Sequence, residues 1–493
     1  MKQLLYARIW YRCGWAVGLA VGLFLLVDRP AWAQTERLPA YPANTAGNVL
    51  YHPYIPNDAD GEQTVVEVLN LAATVVEFSA SFYDATGAQV QTLDDELAPA
   101  QLLPIDVAAL PNLPAGDHTL TISATGPIAT LVRVATPVRA GSTVGGVGLY
   151  QGMAQGCGDA AFGPFYGDDP ASQLALANPG SQVADVGLSF YYPSGSLAIT
   201  TTVEITPQGM ALIPLPAQLP DIFVGMVTLR SNWPVVGLLV QRRARDGIEF
   251  IPGQPAYTLA AQESGQPAIH YPVPRFLYYS DLGGGTRSTL LFIGASAPTT
   301  TTLAIDSFFA SGALLDSMLP YQLTGKQSGF FLPPVWMGRL QSVLVRASQP
   351  LYVVEQTDYQ GSSPYAVAGY GQADPASCAN WLRLPYVAAQ ERRYSIIYVQ
   401  NVDTDVAPVA VTYRDRAGLT VAATTYEIEA NGVHAFDLRT VVDLPAGFEG
   451  SAEIFTPTRL LCTQVDEYGV GQRVNDQGEP LQSSLFLPAI FTP

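Results

Sequence analysis

The sequence predicts an all-β chain: four tandem immunoglobulin-like β-sandwich domains behind a signal peptide. Three observations predict it. The 493 residues include 44 Gly and 39 Pro, with 48% hydrophobic and only 13% charged residues, a balance too turn-rich for a helical bundle and too apolar for disorder. Apolar and polar residues alternate with period two in segment after segment, as half-buried strands require. Three unrelated markers also recur four times in one register, the signature of an internally repeated architecture.

The N-terminal 33 residues stand apart. Lys2, Arg8 and Arg12 precede an apolar run from Trp15 to Val27, and Ala31-Trp32-Ala33 follows. A basic head, a short apolar run and an A-x-A site make a secretory signal peptide, cleaved to leave Gln34 first. Its loss takes Lys2, Arg8, Arg12, Arg29 and Asp28, moving the net charge from −18 to −21 and leaving Lys326 as the one lysine. So acidic a chain excludes nucleic acid and anionic membrane as partners. No later stretch has the length of a membrane span. The expected location is extracellular or at the cell surface.

The markers then give the repeat. Asn70, Asn178, Gly294 and Asn401 close the apolar runs VEVLN, LALAN, LLFIG and IIYVQN, at spacings of 108, 116 and 107. Gly87, Gly195, Gly312 and Gly418 end FYDATG, YYPSG, FFASG and YRDRAG, where each supplies the positive φ of a hairpin turn. Pro127, Pro234, Pro350 and Pro457 keep the same register. In the alternating strands Phe78, Ala80 and Phe82 face one way and Glu77, Ser79 and Ser81 the other; Val186, Leu188, Phe190 and Tyr192 alternate likewise in the second unit, and Val409, Val411 and Tyr413 in the fourth. Segments such as DLRTVVDLP can hold at most a helical turn before proline stops them. Roughly seven short strands per unit fit an immunoglobulin-like sandwich, whereas propeller blades repeat at less than half this period. The predicted boundaries are 1–33 for the signal, 34–140, 141–262 (linker and second sandwich), 263–368, and 369–493 with an extra C-terminal strand. The expected assembly of these units is a rod.

One marker counts to five. Prolines 53, 164, 272, 385 and 488 sit in similar short strands, and proline confines such a strand to a sheet edge or a strand start. The fifth copy either caps the fourth sandwich or completes a sheet on another molecule by β-augmentation.

A strand ending in Asn70, then Phe82 and Gly87, then the LPAG of residues 113–116, repeated at 444–447, resembles the Ig-like domains related to bacterial cell adhesion. The terminal LFLPAIF is similar to tails of secreted multidomain proteins from filamentous bacteria. The resemblance implies extracellular scaffolding or adhesion and brings no catalytic residue. The third unit departs from it, with Gly294 for Asn and no LPAG.

Chemistry is sparse. His52, His118, His270 and His434 form no metal pair at helical spacing and read as edge or surface residues. No nucleophile elbow or phosphate loop appears, so no catalytic or cofactor-binding residue is assigned and no enzyme is expected. Asn57, Asp58, Asp60 and Glu62 alternate oxygen donors around a glycine. They read as a solvated turn or as the early part of a calcium loop, calcium being the one cofactor considered. Cys157, Cys378 and Cys462 remain after export, giving one bridge and a spare thiol, an intermolecular bridge, or none. Adjacent first and last strands would let Cys378 bond Cys462. The resulting expectation is a secreted or surface structural or adhesion protein that self-assembles through its C-terminal strand, its partners being further copies, other surface proteins or glycans. A carbohydrate-binding surface protein is the alternative, and an extracellular hydrolase the third reading.

Overall fold

The computed structural model describes residues 46–57, 62–135, 147–167, 171–220, 222–243, 247–252, 254–255, 269–276, 280–282, 285–295, 299–335, 339–361, 369–372, 378–390, 393–457, 460–472, 481–488 and 490–491. Residues 1–33, expected from the sequence to be a signal peptide, lie outside them. Their regular structure is strand, apart from single 3₁₀ turns such as Val107–Ala109 and Leu438–Thr440, each capped by the preceding aspartate (Asp106, Asp437). No helix among the described residues is long and apolar enough to cross a membrane.

The ladders fall into four sets, over residues 46–151, 157–255, 269–372 and 378–491, and the sets share one topology of eight strands, to which Gln254–Pro255, Ser280–Leu282, Cys378–Ala379 and Ile490–Phe491 are short additions. In the first set these are Ala46–Asn57, Gln63–Asn70, Val76–Tyr83, Gln89–Leu97, Leu102–Asp106, the two halves of Gly116–Ala135, and Val147–Gln151. The long strand changes sheets near Pro127. Up to Ala124 it pairs with the third strand, which carries the fourth at its edge, and with the first strand on its other side. From Ile128 it pairs with the second strand, edged by the fifth, and with the eighth. The other sets repeat this, as two sheets of four and five strands in the third. The recurring proline therefore marks the point where one strand leaves one sheet for the other.

The first strand of every repeat carries a bulge: between His52 and Ile55, Phe162 and Phe165, Val273 and Phe276, and Leu384 and Val387. Pro53, Pro164, Pro274 and Pro385 occupy these bulges, where the missing N–H interrupts no ladder. In the third repeat the structural counterpart is thus Pro274 and not Pro272. The fifth proline-strand is no surplus either. Leu481–Pro488 pairs with Leu461–Gln472 of its own repeat, Pro488 opposite Gln464. Pro252 lies opposite Leu238 in the second repeat and Gln151 opposite Leu131 in the first, at the same register. It is the eighth strand, which every repeat has. In the first and third repeats that strand follows a Gly- and Ser-rich stretch that reads as a linker, so hydrogen bonding carries those repeats to Gln151 and Gln372, beyond the expected ends at 140 and 368.

The two sheets differ in burial. The third strands alternate, with Phe78, Ala80 and Phe82 buried and Glu77 exposed, and Val409, Val411 and Tyr413 buried in the fourth repeat. The second strands are buried nearly throughout. Strands covered on both faces read as continuous apolar runs, and the cover here comes from the neighbouring repeat. Ala175, Met210, Leu238 and Val240 of the second repeat pack into the cluster of Leu50, Phe78 and Ile122 of the first. Phe292, Tyr352 and Val354 of the third join the core of the second. Leu69, Leu71, Leu102 and Leu131 of the first join that of the fourth. This last contact corrects the expected rod, because the succession of repeats closes on itself. The eighth strands also touch in cyclic order, first to second, second to third, third to fourth and fourth to first. The apolar outer sheet faces of the first, second and third repeats are covered in this way, which keeps them from water.

Candidate functional site: the joints between repeats

The marker residues build the joints. Asn70 donates from Nδ2 to Thr74 O (2.8 Å) and Leu97 O (3.0 Å) and accepts Ala72 N–H (2.7 Å). Asn178 binds Gln182 O and Ile205 O, and Asn401 binds Asp405 O and Ile428 O, in the same way. Each asparagine fixes the loop leading into the hairpin. At Gly294 the place is taken from outside, since a β-carbon there would lie 2.6 Å from Met226 Sδ of the second repeat.

The hairpin tips dock on the next repeat. Gly87, Gly195, Gly312 and Gly418 have φ of 87°, 82°, 80° and 84°. Two residues before each, a carbonyl accepts the N–H that opens the fifth strand of the following repeat. The pairs are Met210 N to Ala85 O (3.2 Å), Ser328 N to Pro193 O (3.0 Å), Val433 N to Ala310 O (3.1 Å) and Leu102 N to Arg416 O (3.0 Å). One backbone latch is used four times, and the fourth use joins the last repeat to the first.

Side chains distinguish the joints. At the first-to-second joint Thr206 Oγ1 donates to Thr86 O at 2.7 Å and Thr119 Oγ1 to Gln208 O at 3.0 Å; at the second-to-third joint Tyr352 OH donates to Gly163 O at 2.7 Å and Asp159 acts on the Lys326 charge. At the third-to-fourth joint, buried Arg275 Nη2 meets Glu355 Oε1 at 2.8 Å, Gln464 Nε2 donates to Glu355 Oε2 at 3.0 Å, and the guanidinium lies 5.8 Å from the Tyr398 ring. At the fourth-to-first joint the fully buried Glu67 carboxylate receives Arg416 Nη1 at 3.2 Å and Arg133 Nη2 at 3.6 Å. Arg416 also binds Glu449 at 2.9 Å, and Arg383 Nη1 donates to Leu71 O at 2.8 Å. Burial works against the Arg416 charge, but Glu67 and Glu449 outweigh it and raise its pKa. Chemically these groups hold surfaces together, each acid being neutralised by an arginine.

Other residues singled out from the sequence lie elsewhere. Asn57 is buried and donates to Leu113 O (3.1 Å) and Pro114 O (2.9 Å), Glu62 is buried, and Asp58 and Asp60 lie outside the described residues. The described residues contain no group of three His, Cys, Asp or Glu able to hold a metal. Cys378 and Cys462 face each other across paired strands and are bonded, while Cys157 is a half-buried free thiol raised in pKa by burial and by Asp159. The expectation of surface histidines fails for His52 and His118, which are buried on Thr130 Oγ1 and Pro114 O, both at 2.9 Å. His434 is half-buried and stacks on the exposed Tyr426 ring at 3.6 Å. The side chain of His270 is not described. Sequence reasoning missed Glu67, Arg133, Arg275, Glu355 and Arg416. The available signal was a charge set inside an apolar run, as in VEVLN and LYVVEQ.

The chain matches no family model and none of the curated proteins. Among solved structures it is similar to that of Thermotoga maritima 1070, with 19% identity over 20% of this chain and 95% of the other, at a TM-score of 0.19. It is also similar to elastase-activated Escherichia coli alpha-2-macroglobulin, with 10% identity over 91% of this chain and 44% of the other, at a TM-score of 0.11. Likenesses at these scores bear on neither fold detail nor function.

Proposed function

We propose that the exported chain is a non-enzymatic structural or adhesion protein of four Ig-like sandwiches that works as one rigid ring at the cell surface or outside it. The supporting observation is where the charges at the joints sit. Glu67 pairs with Arg416 across one joint, and Arg275 pairs with Glu355 at another, whereas a catalytic acid or base needs a titratable group facing a cleft. The acidic surface and the adhesion-like sequence motifs agree with presentation outside the cell. The test is to add the purified mature chain to cells or extracellular material at physiological salt and measure retention. Retention that saturates supports the reading, and its absence on every surface refutes adhesion.

A second reading, glycan binding, has one specific support. Tyr426 is about half exposed while His434 backs its ring at 3.6 Å and Phe436 closes the edge. Rings held this way present a flat face to a sugar. Loss of glycan-array signal in Tyr426→Ala with unchanged melting would support this reading, and an array blank for the unaltered chain would end it.

A further inference from the structure

We propose that the joint between the fourth and first repeats is also an interaction surface for a second copy of this chain. Two chains opened there close on each other, the fourth repeat of each on the first repeat of the other, into an assembly of eight repeats. The idea rests on the structural-protein reading above and takes up the self-assembly expected from the sequence, but places the contact at this joint and not at the C-terminal strand, which is engaged within its own repeat.

Three observations carry it. First, this joint alone has no peptide linking the repeats it joins, since the fourth and first hold opposite ends of the chain. Its two surfaces can therefore part while the other three joints stay tethered. Second, its fit is demonstrated by the molecule: Leu102 N on Arg416 O is the same latch that joins the other pairs, and a surface that closes head to tail within a chain closes equally between chains. Third, its charges select the partner. The positions equivalent to Glu67 hold Ala175, Leu291 and Tyr398, and those equivalent to Arg416 hold Ala85, Pro193 and Ala310. The acid and its arginine occur only on these two repeats, so a first repeat accepts a fourth and rejects the others. Arg416 is about one-third exposed and Glu449 about one-fifth, so water and salt reach the set and weaken it.

Closure within a chain competes at an effective concentration of about millimolar. The two-chain form is therefore expected where chains meet before closing, as on refolding at high concentration. The mature chain, unfolded in urea and refolded over a range of protein concentrations, should scatter light as one chain when dilute and as two when concentrated. The chains Glu67→Arg and Arg416→Glu, refolded separately, place like charges at the joint. Refolded together, they should give a two-chain species containing one of each. There the arginine introduced at 67 faces the glutamate introduced at 416, and the second joint is unaltered at both positions. Single-chain mass at every concentration, with no mixed species from the variants, would overturn the proposal; if either variant does not refold, the concentration series of the unaltered chain decides. Surface retention of the single-chain form is measured separately, so failure of assembly and failure of adhesion are told apart.

Discussion

Asn70, Asn178 and Asn401 show how much one side chain holds. Each buried amide satisfies carbonyls of two segments and fixes the entry to a hairpin whose tip must reach the next repeat. Asn178→Ala leaves Gln182 O and Ile205 O without that donor. It should cost about 1–3 kcal/mol, read as a lower urea midpoint with unchanged slope. His52 is the other residue with a measurable signature. Burial lowers its pKa from 6.5 to about 3, so the folded state keeps it neutral where the unfolded chain takes up a proton. The unfolded state then binds more protons, and stability falls as pH drops. The His52 contribution is level above about pH 7, declines by ~1.4 kcal/mol per unit between the two values, and flattens below the lower one. Urea midpoints from pH 7 to pH 4 should fall less steeply in His52→Gln.

At the scale of elements, the hairpin tip is where sequence and structure agree on a residue for different reasons. The turn glycines were legible as positive-φ positions. That they also lie against a neighbouring repeat was not, because a hairpin carries no record of what it touches. The difference can be measured. Gly312→Ala forces an alanine to φ +80 and drives its β-carbon into Ala430 O of the fourth repeat, whereas Gly325→Ala has φ +63 with nothing within 4 Å. Both incur the left-handed penalty of about 1–2 kcal/mol. Only the first should lose more, seen as a lower melting temperature than the Gly325→Ala protein. Equal losses would mean the tip does not bear on the joint.

For the molecule as a whole, closure sets the dimensions. A compact particle of residues 34–493 would have a radius of gyration of about 23 Å, and four sandwiches in a rod roughly twice that. Small-angle scattering of residues 34–493 at high dilution should give a value near the compact one. A doubled radius would rule out the fourth-to-first joint in solution. Closure also brings charges together: Arg133, Arg275 and Arg416 meet Glu67 and Glu355 at the joints between repeats.

The sequence by itself determined the strands, their hairpins and the fourfold register, because alternation, positive-φ glycines and sheet-edge prolines are local requirements that each segment states for itself. The doubly buried second strands were visible too, as apolar runs, though not what covers them. Only the tertiary structure decided that the fifth proline-strand is an eighth strand of its own repeat, that Gly294 replaces asparagine because Met226 fills the place, and that the repeats form a ring. Those outcomes depend on surfaces meeting across more than a hundred residues, and the energy of such a meeting lies in shape and burial that no local pattern encodes.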